Sequence, residues 1–181
     1  FDQPYAFSDP LTMAVTLDKP VAKRIVRDSG IPTADFAIIS DAGIPLPEIA
    51  FPAFLKPIAE GTGKGCGGRS KVSNKAELKR EAARLIEKFQ QPVIAETYLE
   101  GREFTVGIVG NGASARVIAV LEIAVKPDAD SGIYSYEIKE NWEPFLTVKA
   151  GYTYDWLIGE ITASACARYG LAFPETGVRA A

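Results

Sequence analysis

Residues 51 to 72 read FPAFLKPIAEGTGKGCGGRSKV, in which Lys56 closes an apolar run and Lys64 sits inside a stretch dense in glycine. Glycine loses more backbone freedom on folding than any other residue, so that density needs a reward. Exposed main-chain amides beside ammonium groups suit a bound anion, and phosphate is the usual one. Without a ligand the same segment would be a hairpin tip whose glycines serve turn geometry. The two lysines favour phosphate.

The rest of the chain supports that chemistry by what it lacks. It contains no histidine. Ser-His and Cys-His nucleophilic pairs and histidine-based metal sites are therefore excluded from this stretch. Cys66 and Cys166 stand far apart and form no metal-ligand spacing. Carboxylates, lysines, arginines, hydroxyls and amides remain. Phosphoryl transfer runs on that set, because it needs positioning and charge neutralisation more than covalent chemistry. One carboxylate draws notice: Glu96 lies within VIAETYL, where an unpaired charge would be costly to bury.

Two familiar glycine motifs do not fit. Gly63, Gly65 and Gly68 satisfy G-x-G-x-x-G, but the strand-like RSKVS follows where the dinucleotide motif requires an apolar helix. A Walker A loop needs Ser or Thr after its lysine, and Lys64 is followed by Gly65. What remains is strand, glycine-rich turn, strand: a flap able to close over phosphates.

The elements that must carry these groups follow from periodicity and punctuation. Residues 9 to 30 read as two helical pieces, with Asp18 capping the second, Pro20 in its first turn, and Gly30 and Pro32 ending it. DFAIIS (35–40), AFLKP (53–57), RSKVS (69–73), PVIAETYL (92–99) and EFTVGIVG (103–110) read as strands. Asn74 and Glu77 open a helix from Lys75 to about Phe89. Asn111-Gly112 predicts a tight hairpin into ARVIAVLEIAV. Residues 126 to 143 read as a long loop and 155 to 169 as a last helix. Hairpins mixed with helices point to an α+β fold rather than a doubly wound sheet.

The bulk properties set bounds. The 181 residues are 47% hydrophobic and 24% charged, with net charge −3. That balance gives no electrostatic footprint for nucleic acid or an anionic membrane. No apolar run reaches the roughly 20 residues of a membrane span, and no signal peptide is visible. Two distant cysteines suit a reducing, cytoplasmic setting.

Taken in order, these stretches resemble the ATP-grasp superfamily and, within it, the D-alanine–D-alanine ligases. The resemblance is carried by SDPLTMAVTLDKPVAKRIVRDSGIPT (8–33), FPAFLKPIAEGTGKG (51–65), VIAETYLEGREFTVGIVG (93–110), VLEI (120–123) and YSYEIKENWE (134–143). It implies two α+β lobes with mixed or antiparallel sheets holding ATP between them. Residues 1–33 would lead in, 34–98 would form the first lobe with the phosphate loop, and 99–181 an incomplete second lobe. It implies that Lys19 and Lys56 contact the ATP phosphates. The loop Glu60, Gly61, Thr62, Gly63, Lys64 and Gly65 would close over them, with Thr62 where many of these ligases carry serine. Glu96, Thr97, Tyr98 and Leu99 would form the hinge that binds adenine edge-on, Glu103 would accept from the ribose hydroxyls, and Lys139 would face phosphate from a mobile loop. Glu140 stands where that loop motif often ends in tyrosine.

The implied reaction joins two D-alanines through an acyl phosphate, in peptidoglycan precursor synthesis, with ATP and Mg²⁺ and room for a homodimer. No metal ligand is assigned here, because the family's Arg-x-Asp-Phe and Glu-x-Asn segments have no counterpart in this sequence. The family's N-terminal domain is also expected to lie outside it. A non-catalytic or decayed ATP-binding fragment, and a ligase for other carboxylates and amines, stay open as alternatives.

Overall fold

A computed structural model describes residues 8–43, 45–110, 112–125 and 146–150, the last as backbone only. They fall into two compact units, one running through Glu100 and one beginning at Gly101.

The first unit opens with helices α1 (Pro10–Leu17) and α2 (Lys19–Asp28). Asp9 accepts from the amides of Leu11 and Thr12 to start α1, and Asp18 accepts from Val21 to start α2. Gly30 ends the run at φ +76°, a left-handed conformation that costs glycine little. Strands β1 (Phe36–Ile39), β2 (Ala53–Pro57), β3 (Lys71–Val72) and β4 (Val93–Thr97) build an antiparallel sheet in the order β1-β4-β2-β3. Between β3 and β4 runs helix α3 (Lys75–Phe89). Its cap is reciprocal: Asn74 accepts from the Glu77 amide, and Glu77 accepts from the Ser73 amide and the Asn74 side chain. Such a cap contributes about 1 kcal/mol.

Alternation sorts the sheet into two faces. Ala53, Leu55, Val72, Val93 and Ala95 turn toward Leu78, Ala82 and Leu85 of α3 and form the core with them. Leu55, Leu78 and Leu85 are wholly buried, each worth about 1.5–3 kcal/mol. The opposite face receives Phe54 and Lys56 from β2 and Glu96 from β4, where Phe54 pairs with Glu96 and Lys56 with Ile94. Lys56 and Glu96 are thus diagonal neighbours, within reach of each other's long side chains.

The second unit holds an antiparallel meander, β5 (Glu103–Val109), β6 (Arg116–Val125) and β7 (Leu146–Ala150). The buried carboxylate of Glu122 is gripped by Arg102, Nε to Oε1 at 2.7 Å and Nη2 to Oε2 at 3.2 Å.

Two local expectations need correction. RSKVS is not one strand: Gly68–Ser70 form a 3-10 turn, and only Lys71–Val72 pair with β2. Ser70 holds the turn by accepting from the Gly67 amide and donating to the Gly65 carbonyl. The β5–β6 connection is longer than a two-residue turn, since Gly112–Ser114 form a 3-10 turn before β6 begins. Asn111, the loop expected at 126–143 and the helix expected at 155–169 lie outside the described residues.

Candidate phosphate-binding site

The chain leaves β2 through Lys56-Pro57 and is pinned at once. Ile58 donates to the Pro92 carbonyl, and the Ala59 amide donates to Gln91 Oε1. Gln91 Nε2 in turn donates to Glu60 Oε1. The start of α2 fastens the same segment from the other side. Lys19 donates its main-chain N–H to the Ile58 carbonyl, and its Nζ donates to the carbonyls of Glu60, at 2.5 Å, and Ile58, at 3.3 Å.

Beyond Glu60 the loop changes character. Gly61, Thr62 and Lys64 are exposed. Thr62, Gly63 and Gly65 adopt φ of 54°, 82° and 80°. Two short turns carry the chain, Lys64 N–H to Gly61 O and Cys66 N–H to Gly63 O. Gly65 has no room for a side chain: a Cβ there would meet Pro57 Cδ at 2.7 Å and Phe89 at 3.1 Å.

At the base of this loop lies a charge cluster. Lys56 Nζ stands 2.5 Å from Glu96 Oε2, and Lys23 Nζ stands 3.0 Å from Oε1. Burial pushes the Glu96 carboxyl up. The ammoniums of Lys56 and Lys23, by charge and hydrogen bond, outweigh that and hold it below the ordinary carboxylate range. Lys19 moves the other way. Burial and then the nearby charge of Lys56 press its ammonium below the ordinary lysine value, against partial support from Cys66, Glu60 and Glu96. Two ammoniums close enough to repel, at the base of a loop with exposed residues, form a place where an anion relieves the repulsion.

Lys19, Lys56, Glu60, Gly61, Thr62, Gly63, Lys64, Gly65 and Glu96 all lie in the first unit, where direct contacts join Lys19 to Glu60 and Lys56 to Glu96. The stretch after Glu96 is partly committed within the chain: the Thr97 amide donates to Asp35 O and the Tyr98 amide to Pro52 O. The Tyr98 ring stacks on Phe54 and carries Lys71 Nζ 4.1 Å over it, while Leu99 is exposed. Glu103 stands in the second unit as the exposed first residue of β5, opposite Ile123. Lys139 lies outside the described residues. Sequence reasoning missed Lys23 and Gln91. Lys23 had a signal, because it lies four residues after Lys19 on one helix. Gln91 had none, since its reach depends on the left-handed Gln90 before it. Among the described residues no group of three metal-ligating side chains occurs.

Solved structures share this fold. The D-alanyl-alanine synthetase A of Vibrio cholerae superposes with a TM-score of 0.61 over 95% of this chain and 53% of its own, at 17% identity. A Bacillus anthracis D-alanine–D-alanine ligase complexed with ATP gives 0.57 over 90% and 48%, at 19% identity. The architecture is an ATP-grasp fold of the α+β class. The profile described as "D-ala D-ala ligase C-terminus" matches residues 25–156. Named D-alanine–D-alanine ligases from Bordetella pertussis and Aquifex aeolicus are 34% and 39% identical over 75% and 76% of the chain. The chain belongs to the D-alanine–D-alanine ligase family. It spans 42% and 44% of the length of those two relatives.

Proposed function

We propose that this chain is the ATP-binding part of a ligase that joins two D-alanines. ATP would phosphorylate the carboxylate of the first, and the amine of the second would displace phosphate from the acyl phosphate. The observation that carries this reading is the convergence of Lys19 and Lys56 at the base of the glycine loop, with Glu96 fixing Lys56. In this reading the two lysines neutralise the phosphates, and residues 60–65 close over them. Fixed cations placed where charge builds up in phosphoryl transfer are the main resource of such catalysts.

Adenine would lie along residues 96–99. Since Thr97 and Tyr98 already donate their amides, the base would use other main-chain groups there, with Leu99 beside it. Lys139 would face the phosphates when substrate is bound. Mg²⁺ belongs to the reading through the family, and no described residue is assigned to it. The reading sets the reaction in cytoplasmic cell-wall precursor synthesis. Among the described residues no helix is long and apolar enough to cross a membrane.

Calorimetric titration of the purified chain with ATP tests the reading, and saturable binding at micromolar to millimolar ATP is expected. Binding of inorganic triphosphate as tight as that of ATP would remove the adenine and ribose assignments. No binding of either would remove the phosphate site. The ribose role of Glu103 has its own check. The parent should prefer ATP to 2′,3′-dideoxy-ATP by about tenfold, the worth of one charge-assisted hydrogen bond. Glu103→Ala should bind the two alike, and a parent without that preference would refute the role.

A further inference from the structure

We propose that Lys23 is a positioning residue for the site: by holding one oxygen of Glu96, it leaves the Lys56 ammonium available to an anionic ligand. This rests on the nucleotide reading above and names a residue that reading does not use.

Lys23 is largely committed within the chain. Its Nζ stands 3.0 Å from Glu96 Oε1, donates to Thr33 Oγ1 at 2.6 Å, and lies 5.4 Å from the centroid of the Phe36 ring. Its side chain is 14% exposed. Two of its three ammonium protons are thereby taken, and the third lies in a little-exposed setting beside the ring. Lys56 differs: its side chain is 25% exposed, and its contact among the described residues is Glu96 Oε2 alone. Two of its protons remain for an anion.

The charge balance explains why Lys23 matters. Facing Glu96 are Lys19 and Lys23 from α2 and Lys56 from β2, while β1 presents the uncharged Phe36 opposite it. Three ammoniums against the carboxylates of Glu96 and Glu60 still leave an excess of positive charge at the base of the loop. Without Lys23 the whole carboxylate charge falls to Lys56. The pair that Lys56 already makes with Glu96 is then held more strongly, and the excess shrinks. Both changes work against a polyphosphate. Lys23 therefore acts on the ligand through Glu96 and Lys56.

Two measurements on the full chain test this. The first is the titration of the Glu96 carboxyl by carbon NMR without nucleotide. Lys56 and Lys23 together hold this group below its ordinary range, so Lys23→Met should move its midpoint upward, and Lys23→Arg should leave it near the parent value. An unmoved midpoint in Lys23→Met overturns the proposal. The second is ATP calorimetry in a double-mutant cycle with Glu96→Gln. Lys23→Met should weaken binding about tenfold in the parent and much less in the Glu96→Gln background, with Lys23→Arg recovering most of the loss. Equal losses in both backgrounds would make Lys23 an independent charge and overturn the proposal. A parent that binds no ATP would sink the nucleotide reading alone, because the carboxyl midpoint still reports whether Lys23 holds Glu96.

Discussion

Lys56→Ala is expected to weaken ATP binding by about thirty- to a hundredfold, while Lys75→Ala leaves it within about twofold of the parent. The contrast controls for charge, because each substitution removes one ammonium. Lys56 stands on the face of the sheet away from α3, beside Lys19 and against Glu96, with much of its ammonium uncommitted. Lys75 opens α3 and pairs with Glu48 at 2.8 Å in full solvent, where such pairs contribute little. Calorimetry on the two variants, at one ionic strength, is the measurement. Equal affinities would remove Lys56 from the site. Lys56→Ala also leaves Glu96, only 12% exposed, with Lys23 as its remaining close partner. A melting curve must accompany the titration so that lost affinity is not confused with lost structure.

Gly65→Ala should destabilise the chain by about 3 kcal/mol, lowering the melting temperature by roughly six to twelve degrees. Two causes add. The backbone at φ +80° is a conformation that side-chain-bearing residues avoid, and the new methyl would press on Pro57 Cδ and Cγ at 2.7 and 2.8 Å. Pro57 is itself wholly buried at the end of β2, so it has nowhere to retreat. Gly61→Ala is the internal control. A methyl at that position would have nothing within 4 Å, and thermal stability should hardly change. If the two substitutions melt alike, the close approach of the loop to Pro57 is not a feature of the folded chain.

The sequence made the glycine loop legible for a physical reason. Glycines in an otherwise ordinary composition are conspicuous, and AFLKP alternates so that Lys56 must leave the core face. Asp18, Asn74 and Gly30 announced the helix ends, because caps and left-handed stops depend on the residue itself. The return from the loop was harder. RSKVS has strand-like composition, yet Ser70 spends its hydroxyl on Gly67 and Gly65 and bends the chain into a 3-10 turn. That bond depends on where the loop folds back, which composition does not encode. The same holds for the partners of Glu96. The cost of burying it showed that something must pair with it, but Lys23 and Lys56 were brought to it by the docking of α2 and by strand register. For the first unit, then, local signals named the ends and faces of the elements, and tertiary placement chose the partners.

The fastening of residues 58–60 from two sides bears on how quickly and how favourably a ligand can be enclosed. Lys19, Pro92 and Gln91 immobilise the base of the loop before anything binds. Ordering a backbone residue costs about 1–2 kcal/mol of conformational entropy. With the base already ordered, that cost on closure falls on the few residues from Gly61 to Lys64 rather than on the whole segment from β2 to β3. In the proposed reading the loop would be a short flap on a rigid hinge-post, and most of the attraction between amides and phosphate would be left to emerge as affinity.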